Sequence, residues 1–378
     1  MEIIHLVSGK LTGNNALVAA INNLASEQVR LGHQVTLWEI SEEANDYFQL
    51  KSYKTVLFPA KPFIWTTTRA VTTAIQKLHP GIIVHIHGSF VPIYFTIAYH
   101  LRKINIPFVY TTYGMYQKEE IQTHGFLRQL YFQLFEQMLI RWSSALHITG
   151  ANEKEILAQT QTDVNKKLVL IPNGLTNENR FIPPKIKRTD EPVFGFCGRL
   201  DIHAKGLDIL LRGFAEYKLK YFEKGVLWII GDGEGKEPLY ELANELGIRS
   251  FISFKGNVYG LRKFEMISKI DVFVRPSRVE HFPSAILEAA SSSVPSIVSS
   301  ATNMGEYITQ YDAGYVLGEN TPNALAKLFL KAYQDIKNYR WDHKRRNAFR
   351  MVNEKFQWSR IAEEHIHVYE KVLDHQAA

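Results

Sequence analysis

The chain has 378 residues but only one cysteine, Cys197, and this scarcity excludes an internal disulfide. The cysteine lies in the apolar run "PVFGFCG", which predicts a buried strand thiol. No apolar run approaches the roughly 20 residues that span a bilayer. The first residues, "MEIIHLVSGK", do not follow the charged-then-apolar plan of a signal peptide. We therefore expect a cytoplasmic protein.

The charge is moderately basic, with 44 Lys and Arg against 38 Asp and Glu and a net charge of +6. This balance favours anionic partners without naming one. The basic clusters "KIKR" (185–188) and "HKRR" (343–346) are interpreted as solvated surface. The alternative is peripheral attraction to an anionic membrane, at its inner face, or to a phosphate-bearing substrate.

Short apolar runs alternate with helical periodicity in both halves of the chain, from "EIIHLVS" to "KLVLIPNG" and from "VFGFCGR" to "VPSIVSS". Between the halves, residues 176–192 ("TNENRFIPPKIKRTDEP") have the composition of a linker. This pattern predicts an α/β fold of two doubly wound units, each with a parallel sheet, facing each other across a ligand cleft. Two long helical stretches, 321–352 and 358–373, end the chain.

Two glycine-containing stretches follow strands of the second half. "GRLDIHAKG" (198–206) offers Arg199 and Lys205 where a helix begins, an arrangement that suits a diphosphate. The alternative is that both cations decorate a surface turn. "GDGEG" (231–235) has the wrong spacing for a dinucleotide fingerprint, so a tight turn is favoured over a nicotinamide site.

Two stretches of the first half also follow strands. In "SGKLTGNN" the backbone N–H groups of Gly13 and Asn14 are positioned to face a phosphate or a sugar. His85 and His87 alternate along one strand and share a face, with His87 nearer the carboxyl end. A metal would need a third ligand, and no cluster with suitable spacing supplies one. We therefore expect no metal, and interpret His87 as a structural or substrate-contacting residue.

The stretch "RVEHFPSAILEAA" (278–290) places Glu280 in a loop and Glu288 on a helix. Pro283 suits the first helical position, and the amides of Ser284 and Ala285 have no partner within the helix. Glu288 lies about 7.5 Å along the axis from Pro283, which is about the reach from a diphosphate to the ribose. Spacing alone does not exclude chance.

Taken together, these stretches resemble the retaining glycosyltransferases of family 4, which have the GT-B fold. The resemblance covers nearly the whole chain and includes "LHITGANEKE", "VLIPNGL", "WIIGDGEGKEPL", "FISFKGNV" and the E-x7-E motif formed by Glu280 and Glu288. It implies that residues 1–178 with 358–378 form the acceptor-side Rossmann-like domain. Residues 190–357 would form the nucleotide-sugar-binding Rossmann-like domain.

The resemblance also implies residue roles. Arg199 and Lys205 would neutralise the donor diphosphate, and Glu288 would hold the ribose. Glu280 would hold the donor sugar together with the backbone at the helix start. The residues of this segment that would bind the donor are His281, Phe282, Pro283, Ser284 and Ala285. Val258 matches the region beside the base. Such enzymes generally need no metal and no cofactor besides the sugar-nucleotide co-substrate.

The chain departs from the family at Tyr113, in "YTTYGMY", where many members have a histidine. A phenol binds a sugar hydroxyl but does not carry protons near pH 7, so a catalytic histidine is in doubt. His281 and Pro283 also replace frequent glycines.

We expect a hexosyltransferase that uses a UDP-glucose-like donor and a polysaccharide or lipid-linked acceptor. A sugar-nucleotide epimerase, a nicotinamide-dependent oxidoreductase and a silent sugar-nucleotide binder are the alternatives.

Overall fold

The computed structural model describes residues 1–9, 16–41, 51–60, 66–117, 125–160, 164–175, 191–280 and 284–377. The chain divides into unit 1, Met1–Thr176 with Trp358–Ala378, and unit 2, Asn177–Gln357. Each unit is built on a parallel sheet with intervening helices, which confirms the predicted class of two doubly wound, Rossmann-like domains.

The described part of unit 1 contains a seven-stranded sheet in the order β3-β2-β1-β4-β5-β6-β7. β1 and β4 are buried over nearly their whole length, as expected for parallel strands covered on both faces. The strands are β1 Glu2–Ser8, β2 Gln34–Ser41, β3 Lys54–Pro59, β4 Ile82–His87, β5 Phe108–Thr111, β6 Ala145–Ile148 and β7 Leu168–Leu170.

The helices of unit 1 connect these strands, and the final helix of the chain returns to the same unit. A π-helical turn, Phe132–Glu136, joins α4 to α5, and a 3-10 turn, Ala151–Glu153, precedes α6. The helices are α1 Ala16–Arg30, α2 Arg69–Gln76, α3 Pro92–Lys103, α4 Gly125–Tyr131, α5 Gln137–Trp142, α6 Lys154–Thr160, α7 Val164–Lys167 and, after unit 2, α16 Trp358–Ala377.

The described part of unit 2 contains a six-stranded sheet in the order β10-β9-β8-β11-β12-β13. The strands are β8 Val193–Cys197, β9 Val226–Ile230, β10 Ile252–Gly256, β11 Val272–Arg275, β12 Ser296–Val298 and β13 Gly314–Val316. The helices are α8 Ile202–Lys205, α9 Leu207–Tyr221, α10 Lys236–Glu245, α11 Gly260–Ile267, α12 Ser284–Ser291, α13 Gly305–Tyr311, α14 Pro322–Lys337 and α15 Trp341–Lys355.

The closing helix α16 packs against α1 on one face of the unit 1 sheet. Trp358 and Ile361 pack in a buried cluster with Leu24 and Ile171. The fit is tight at Gly174, where an added Cβ would lie 2.8 Å from the Trp358 ring. The amphipathic C-terminal segment is therefore part of the unit 1 core.

Two strands, β3 and β13, and one break between two helices were not predicted from the sequence. The edge strand β3 is largely exposed and β13 has only three residues, so neither carries the apolar run on which strand prediction depends. The helical stretch predicted over 321–352 is two helices, α14 and α15. Tyr339, at a φ of 60°, lies in the break between them.

The structure corrects the interpretation of "HKRR" as solvated surface. Lys344 and Arg345 are 7% and 9% exposed within α15. Lys344 pairs with Asp312, and Arg345 pairs with Asp271 at 2.5 Å. These two cations form buried ion pairs within unit 2. The other basic cluster, "KIKR", lies outside the described residues. Among the described helices, none is both long and apolar enough to cross a bilayer.

Each sheet has a point where the strand order reverses, between β1 and β4 in unit 1 and between β8 and β11 in unit 2. Connections on the two sides of such a point leave in opposite directions, which opens a crevice at the carboxyl ends of the strands. These two crevices are where the site residues predicted from the sequence should lie.

Candidate functional site

The unit 2 crevice contains a buried carboxylate, Glu280, that is 4% exposed. Its Oε1 accepts a hydrogen bond from Lys205 Nζ at 3.0 Å, and its Oε2 accepts from Arg275 Nε at 2.9 Å and from Ser277 Oγ at 3.2 Å. Burial by itself would raise the pKa of Glu280, but the adjacent Arg275 and Lys205 charges lower it. Glu280 is therefore held as a carboxylate whose oxygens are directed at side chains of its own unit.

The loop after β11 is fixed to the start of α8 and α9 by several contacts. Arg278 forms two 2.7 Å hydrogen bonds with the Asp208 carboxylate, and its backbone N–H donates to the Ala204 carbonyl at 2.9 Å. Gly206 has a φ of 63°, and an added Cβ would lie 2.0 Å from the Pro276 carbonyl oxygen. These contacts fix the separation between Lys205 and Glu280.

Arg199 and Lys205 differ in exposure although they lie in the same loop and helix start. The Arg199 side chain is 75% exposed and approaches Asp201 only at 3.9 Å, whereas the Lys205 side chain is 13% exposed. Burial is the main cause that lowers the pKa of Lys205, and the nearby charge of Arg199 contributes in the same direction. The structure thus places an exposed cation beside a buried one.

Glu288 lies on α12 and pairs with Lys263 on α11, with 2.6 Å between Oε2 and Nζ. Both side chains are partly buried. Burial raises the pKa of the Cys197 thiol to about 11, and the charges of Lys263, Glu288 and Arg275 act on the same group. These groups therefore surround the end of β8, and the strand thiol is buried as expected.

The remaining predicted donor residues divide between described and undescribed parts of the chain. Ser284 and Ala285 begin α12, and Val258 follows β10 and is half-buried. Five predicted residues lie outside the described residues: Gly13, Asn14, His281, Phe282 and Pro283. Their assignment stays a prediction.

Glycines of "GDGEG" are explained by close chain contact. Gly231 has a φ of 139°, and an added Cβ would lie 1.9 Å from the Gly198 carbonyl oxygen. This steric requirement supports the interpretation of the stretch as a tight turn, and the nicotinamide alternative gains no separate support from its glycines.

The unit 1 crevice lies above a buried histidine cluster in which His85 pairs with His5 across the sheet. Among the described residues of unit 1, five histidines are at most 3% exposed: His5, His85, His87, His147 and His365. Burial lowers the pKa of His5 and His147 to about 4, and it lowers the pKa of the other three well below the usual 6.5. All five are therefore neutral at pH 7.

The proton positions in this cluster follow from one backbone carbonyl. His147 Nε2 lies 2.8 Å from the Ile171 carbonyl oxygen and must donate, so Nδ1 of the neutral ring accepts from Thr111 Oγ1 at 2.8 Å. Thr111 has one hydroxyl proton, so it accepts from His85 Nε2 at 2.5 Å. His85 Nδ1 then accepts from the Tyr369 hydroxyl at 2.6 Å.

The hydrogen bonds that link Tyr369 to the partly exposed Tyr113 follow the same direction of donation. Gln28 donates from Nε2 to Tyr369 at 3.4 Å and accepts from His5 Nε2 at 2.7 Å. His5 Nδ1 accepts from His87 Nε2 at 2.7 Å, and His87 Nδ1 accepts from the Tyr113 hydroxyl at 2.8 Å. The eight hydrogen bonds from Tyr113 to Ile171 therefore run in one direction without a donor or acceptor conflict.

Tyr113 is the partly exposed end of this chain. Its φ of 53° is unusual for a bulky residue, and such strain persists only where surrounding contacts impose it. Because its proton is donated to His87, the phenol oxygen can offer a ligand only an acceptor. His87 itself is 1% exposed with both ring nitrogens engaged, which favours the structural interpretation of this residue over a sugar contact.

The cluster also corrects the expectation that His85 and His87 have no third partner. His5, from a distant part of the sequence, brings a ring nitrogen so that ligand atoms of all three residues lie within 4.8 Å of one another. Each of the six ring nitrogens already has a hydrogen-bond partner. The nitrogen lone pairs that a metal would require are those that receive the hydrogen bonds, so the residues fit a hydrogen-bonded network better than a metal site.

Comparison with known proteins links both units to one group of enzymes. A family described as Glycosyltransferase Family 4 matches residues 18–178, and one described as Glycosyl transferases group 1 matches residues 177–349. An uncharacterised glycosyltransferase of Methanocaldococcus jannaschii is 30% identical over 188 residues, which cover 49% of this chain and 46% of that protein. The chain thus spans about half the length of this relative.

Two further matches carry more specific names. The lipopolysaccharide core biosynthesis glycosyltransferase LpsE of Rhizobium meliloti is 33% identical over 106 residues, covering 28% of this chain and 29% of that protein. HepE of Anabaena, solved in complex with UDP and glucose, superposes with a TM-score of 0.71 at 16% identity, covering 98% of this chain and 100% of that one. These matches do not favour the epimerase alternative.

The neutral histidines predict acid lability of unit 1. The folded pKa values lie below the unfolded value of about 6.5, so their stabilising contribution is complete above pH 6.5 and is lost as the pH falls towards 4. Each such histidine should remove about 1.4 kcal/mol of unfolding free energy per pH unit in this window. Glu153, whose pKa burial raises to about 7, opposes the trend, as does Glu136.

Denaturant unfolding monitored between pH 7 and 4 tests this expectation. His365→Gln removes one buried histidine that lies outside the hydrogen-bonded chain, so its stability should fall less steeply with acid than that of the natural protein. The control is His203→Gln, at an exposed position, whose profile should match the natural protein. Identical slopes for all three proteins would contradict the assignment.

Proposed function

Because the chain belongs to the group 1 and family 4 glycosyltransferases and has their GT-B fold, we propose that it is a retaining, metal-independent hexosyltransferase. The proposed donor is a UDP-glucose-like sugar nucleotide, and the proposed acceptor is a growing polysaccharide or lipid-linked glycan. The observation that carries the proposal is the charged crevice of unit 2, at the point of strand-order reversal. Lys205 pairs there with Glu280, and the exposed Arg199 lies in the loop that leads to Lys205.

The donor assignment rests on the distribution of charge at that edge. The exposed Arg199 is suited to a diphosphate, and the partly buried Lys205 adds positive potential while it orients Glu280. Glu288, on the adjacent helix, has a carboxylate that suits a ribose diol. The complex of HepE with UDP and glucose supports a uridine donor by analogy.

The proposed chemistry uses no protein nucleophile. Both oxygens of Glu280 are engaged with Lys205, Arg275 and Ser277, so this carboxylate is poorly placed to attack a sugar. In the proposed step the bond between the sugar C1 and the leaving phosphate oxygen breaks. The acceptor oxygen bonds to C1 on the same face, and its proton passes to the leaving phosphate.

Side-chain cations, rather than a metal ion, would stabilise the charge that develops on the departing diphosphate. The exposed Arg199 would contact the diphosphate. Lys205 and Arg275, which both pair with Glu280, would add positive charge from buried positions. The neutral histidine network of unit 1 would contribute no charge. Metal independence is thus part of the proposal.

Tyr113 is the proposed contact for a sugar hydroxyl in unit 1. Its proton is committed to His87, so its oxygen accepts a hydrogen bond from a hydroxyl group. The name of LpsE, a lipopolysaccharide core enzyme, supports a glycan acceptor by analogy.

A panel of UDP- and GDP-sugars tests the proposal directly. The preferred donor should raise the unfolding temperature of the natural protein, and it should be consumed when an acceptor glycan is added. NMR of the product should show the anomeric configuration of the donor, and chelation by EDTA should leave the rate unchanged. An inverted product would contradict retention, and loss of activity in EDTA would contradict metal independence.

Arg199→Ala should weaken UDP binding by about tenfold while leaving uridine binding unchanged, because only UDP carries the diphosphate. Isothermal titration with both ligands measures the difference. The control is Arg212→Ala, which removes an exposed arginine of α9. Equal effects of the two substitutions would argue against a diphosphate role for Arg199.

Glu288→Ala should weaken UDP binding by about 10- to 100-fold, because a carboxylate that accepts two hydroxyl hydrogen bonds is lost. The dideoxy analogue of UDP, without the 2′- and 3′-hydroxyls, should bind the variant and the natural protein equally weakly. Glu306→Ala, at an exposed site on α13, is the control. If the variant loses affinity for UDP and the analogue alike, Glu288 does not hold the ribose.

A further inference from the structure

Large apolar side chains are exposed unevenly over the described residues. Seven of the fifteen exposed ones lie on α3, just after it, or on the helical run 125–142. We call these seven residues the apolar stripe; they are Tyr99, Ile104, Phe126, Leu127, Leu130, Leu134 and Met138. Phe126 and Leu127 are 75% and 79% exposed, which is far more than scattered surface residues require.

The π turn helps align the stripe. Phe126, Leu130, Leu134 and Met138 recur every four residues, a spacing that in a regular α-helix would drift by about 40° per step. A π-helical turn such as Phe132–Glu136 contains more residues than an α-helical turn. It therefore rotates the side chains that follow it, such as Met138, back towards the side of Phe126 and Leu130. Such turns are uncommon and often occur at functional sites.

The opposite side of the same helical run holds its only carboxylate. Glu136 is fully buried and accepts hydrogen bonds from the Tyr110 hydroxyl at 2.6 Å and the Phe90 N–H at 2.8 Å. It also accepts from the Tyr116 hydroxyl. The acidic group thus faces the core beside apolar residues such as Phe132 and Leu139, while further apolar residues occupy the face that is usually polar in a surface helix.

The exposed charges beside the stripe are all basic within the described residues of α3 and 125–142. Arg102, Lys103 and Arg141 are exposed. The Lys167 ammonium donates to carbonyls at the end of α5, including that of Arg141 at 3.0 Å. These cations form a collar at one end of the stripe.

Aromatic side chains contact the cations of the collar, and one of them, Tyr99, belongs to the apolar stripe. The Arg102 guanidinium lies 5.5 Å from the Trp142 ring centroid, and the Lys103 ammonium lies 4.7 Å from that of Tyr99. Tryptophan and tyrosine with adjacent basic groups are typical of the boundary between the lipid headgroups and the acyl chains. Apolar residues, aromatic rings and cations are thus neighbours on this surface, which is the combination found at the boundary of a bilayer.

We propose that the apolar stripe and its basic collar dock onto an anionic lipid bilayer. The stripe enters the acyl boundary, and Arg102, Lys103 and Arg141 contact the lipid phosphates. A second copy of the chain fits less well, because the described residues of α3 and 125–142 offer no exposed acidic group that could pair with the collar of another copy. This inference is independent of the proposed transfer reaction and rests on other residues.

Sedimentation of the full chain with vesicles tests the proposal. The natural protein should bind vesicles containing phosphatidylglycerol, bind weakly to pure phosphatidylcholine, and dissociate as salt rises. Phe126→Ser with Leu127→Ser should reduce binding to the anionic vesicles at least about tenfold, because two exposed apolar anchors are lost. Leu219→Ser with Phe222→Ser, at comparably exposed positions of unit 2, is the control and should bind normally.

A second variant, Arg102→Gln with Lys103→Gln, separates charge from apolar contact. It should lose the preference for phosphatidylglycerol while its unfolding temperature stays that of the natural protein. Equal sedimentation with and without vesicles, or a concentration-dependent dimer abolished by the Phe126 and Leu127 substitutions, would overturn the proposal in favour of self-association. Absence of vesicle binding by the natural protein would also overturn it.

Discussion

The unit 2 crevice depends on the buried charge of Glu280. This carboxylate joins the end of β11, the following loop and the end of α8, because Arg275, Ser277 and Lys205 all donate to it. Removing a charged group of such a cluster leaves the others buried without compensation, which costs far more than the loss of a surface pair. The arrangement therefore fixes the geometry of the surrounding loops before any ligand arrives. Arg199, which is outside this cluster, faces solvent.

Unit 1 achieves the same rigidity without charge. A neutral histidine has one donor and one acceptor, so a series of them can be linked in a single direction. The chain from Tyr113 to Ile171 uses this property four times, with Thr111, Gln28 and Tyr369 as the connecting groups. Protonation of a ring would turn its accepting nitrogen into a second donor. That nitrogen would then face the donor of the preceding group in the chain. The two units thus represent opposite solutions to the burial of polar groups, one with paired ions and one with neutral rings.

The sequence predicted the fold class well because buried parallel strands are apolar along their whole length, as β1 and β4 are. It missed β3 and β13, which are exposed or short. Arg199, Lys205 and Glu280 could be selected as candidates because they follow strands at the carboxyl edge, and their roles stay predictions.

Lys263 and His5 could not be found from the sequence, since their contacts depend on a neighbouring helix and on strand register far away in the chain. Arg275 was missed although it lies only five residues before its partner Glu280, because an arginine at the end of an apolar strand gives no sign of the direction of its side chain. The burial of Lys344 and Arg345 was hidden for the same reason, as their acidic partners lie more than 30 residues away.

The π turn has a consequence for how this protein can vary. A turn of this kind arises when one residue is added to an α-helix, and the backbone absorbs the addition locally. Deleting one residue within Phe132–Glu136 would therefore restore a regular helix while the segments on either side keep their orientation. A deletion elsewhere in the helical run would instead rotate the two segments by about 100° relative to each other and would break up the apolar stripe. Length variation within the run 125–142 should therefore be confined to this turn.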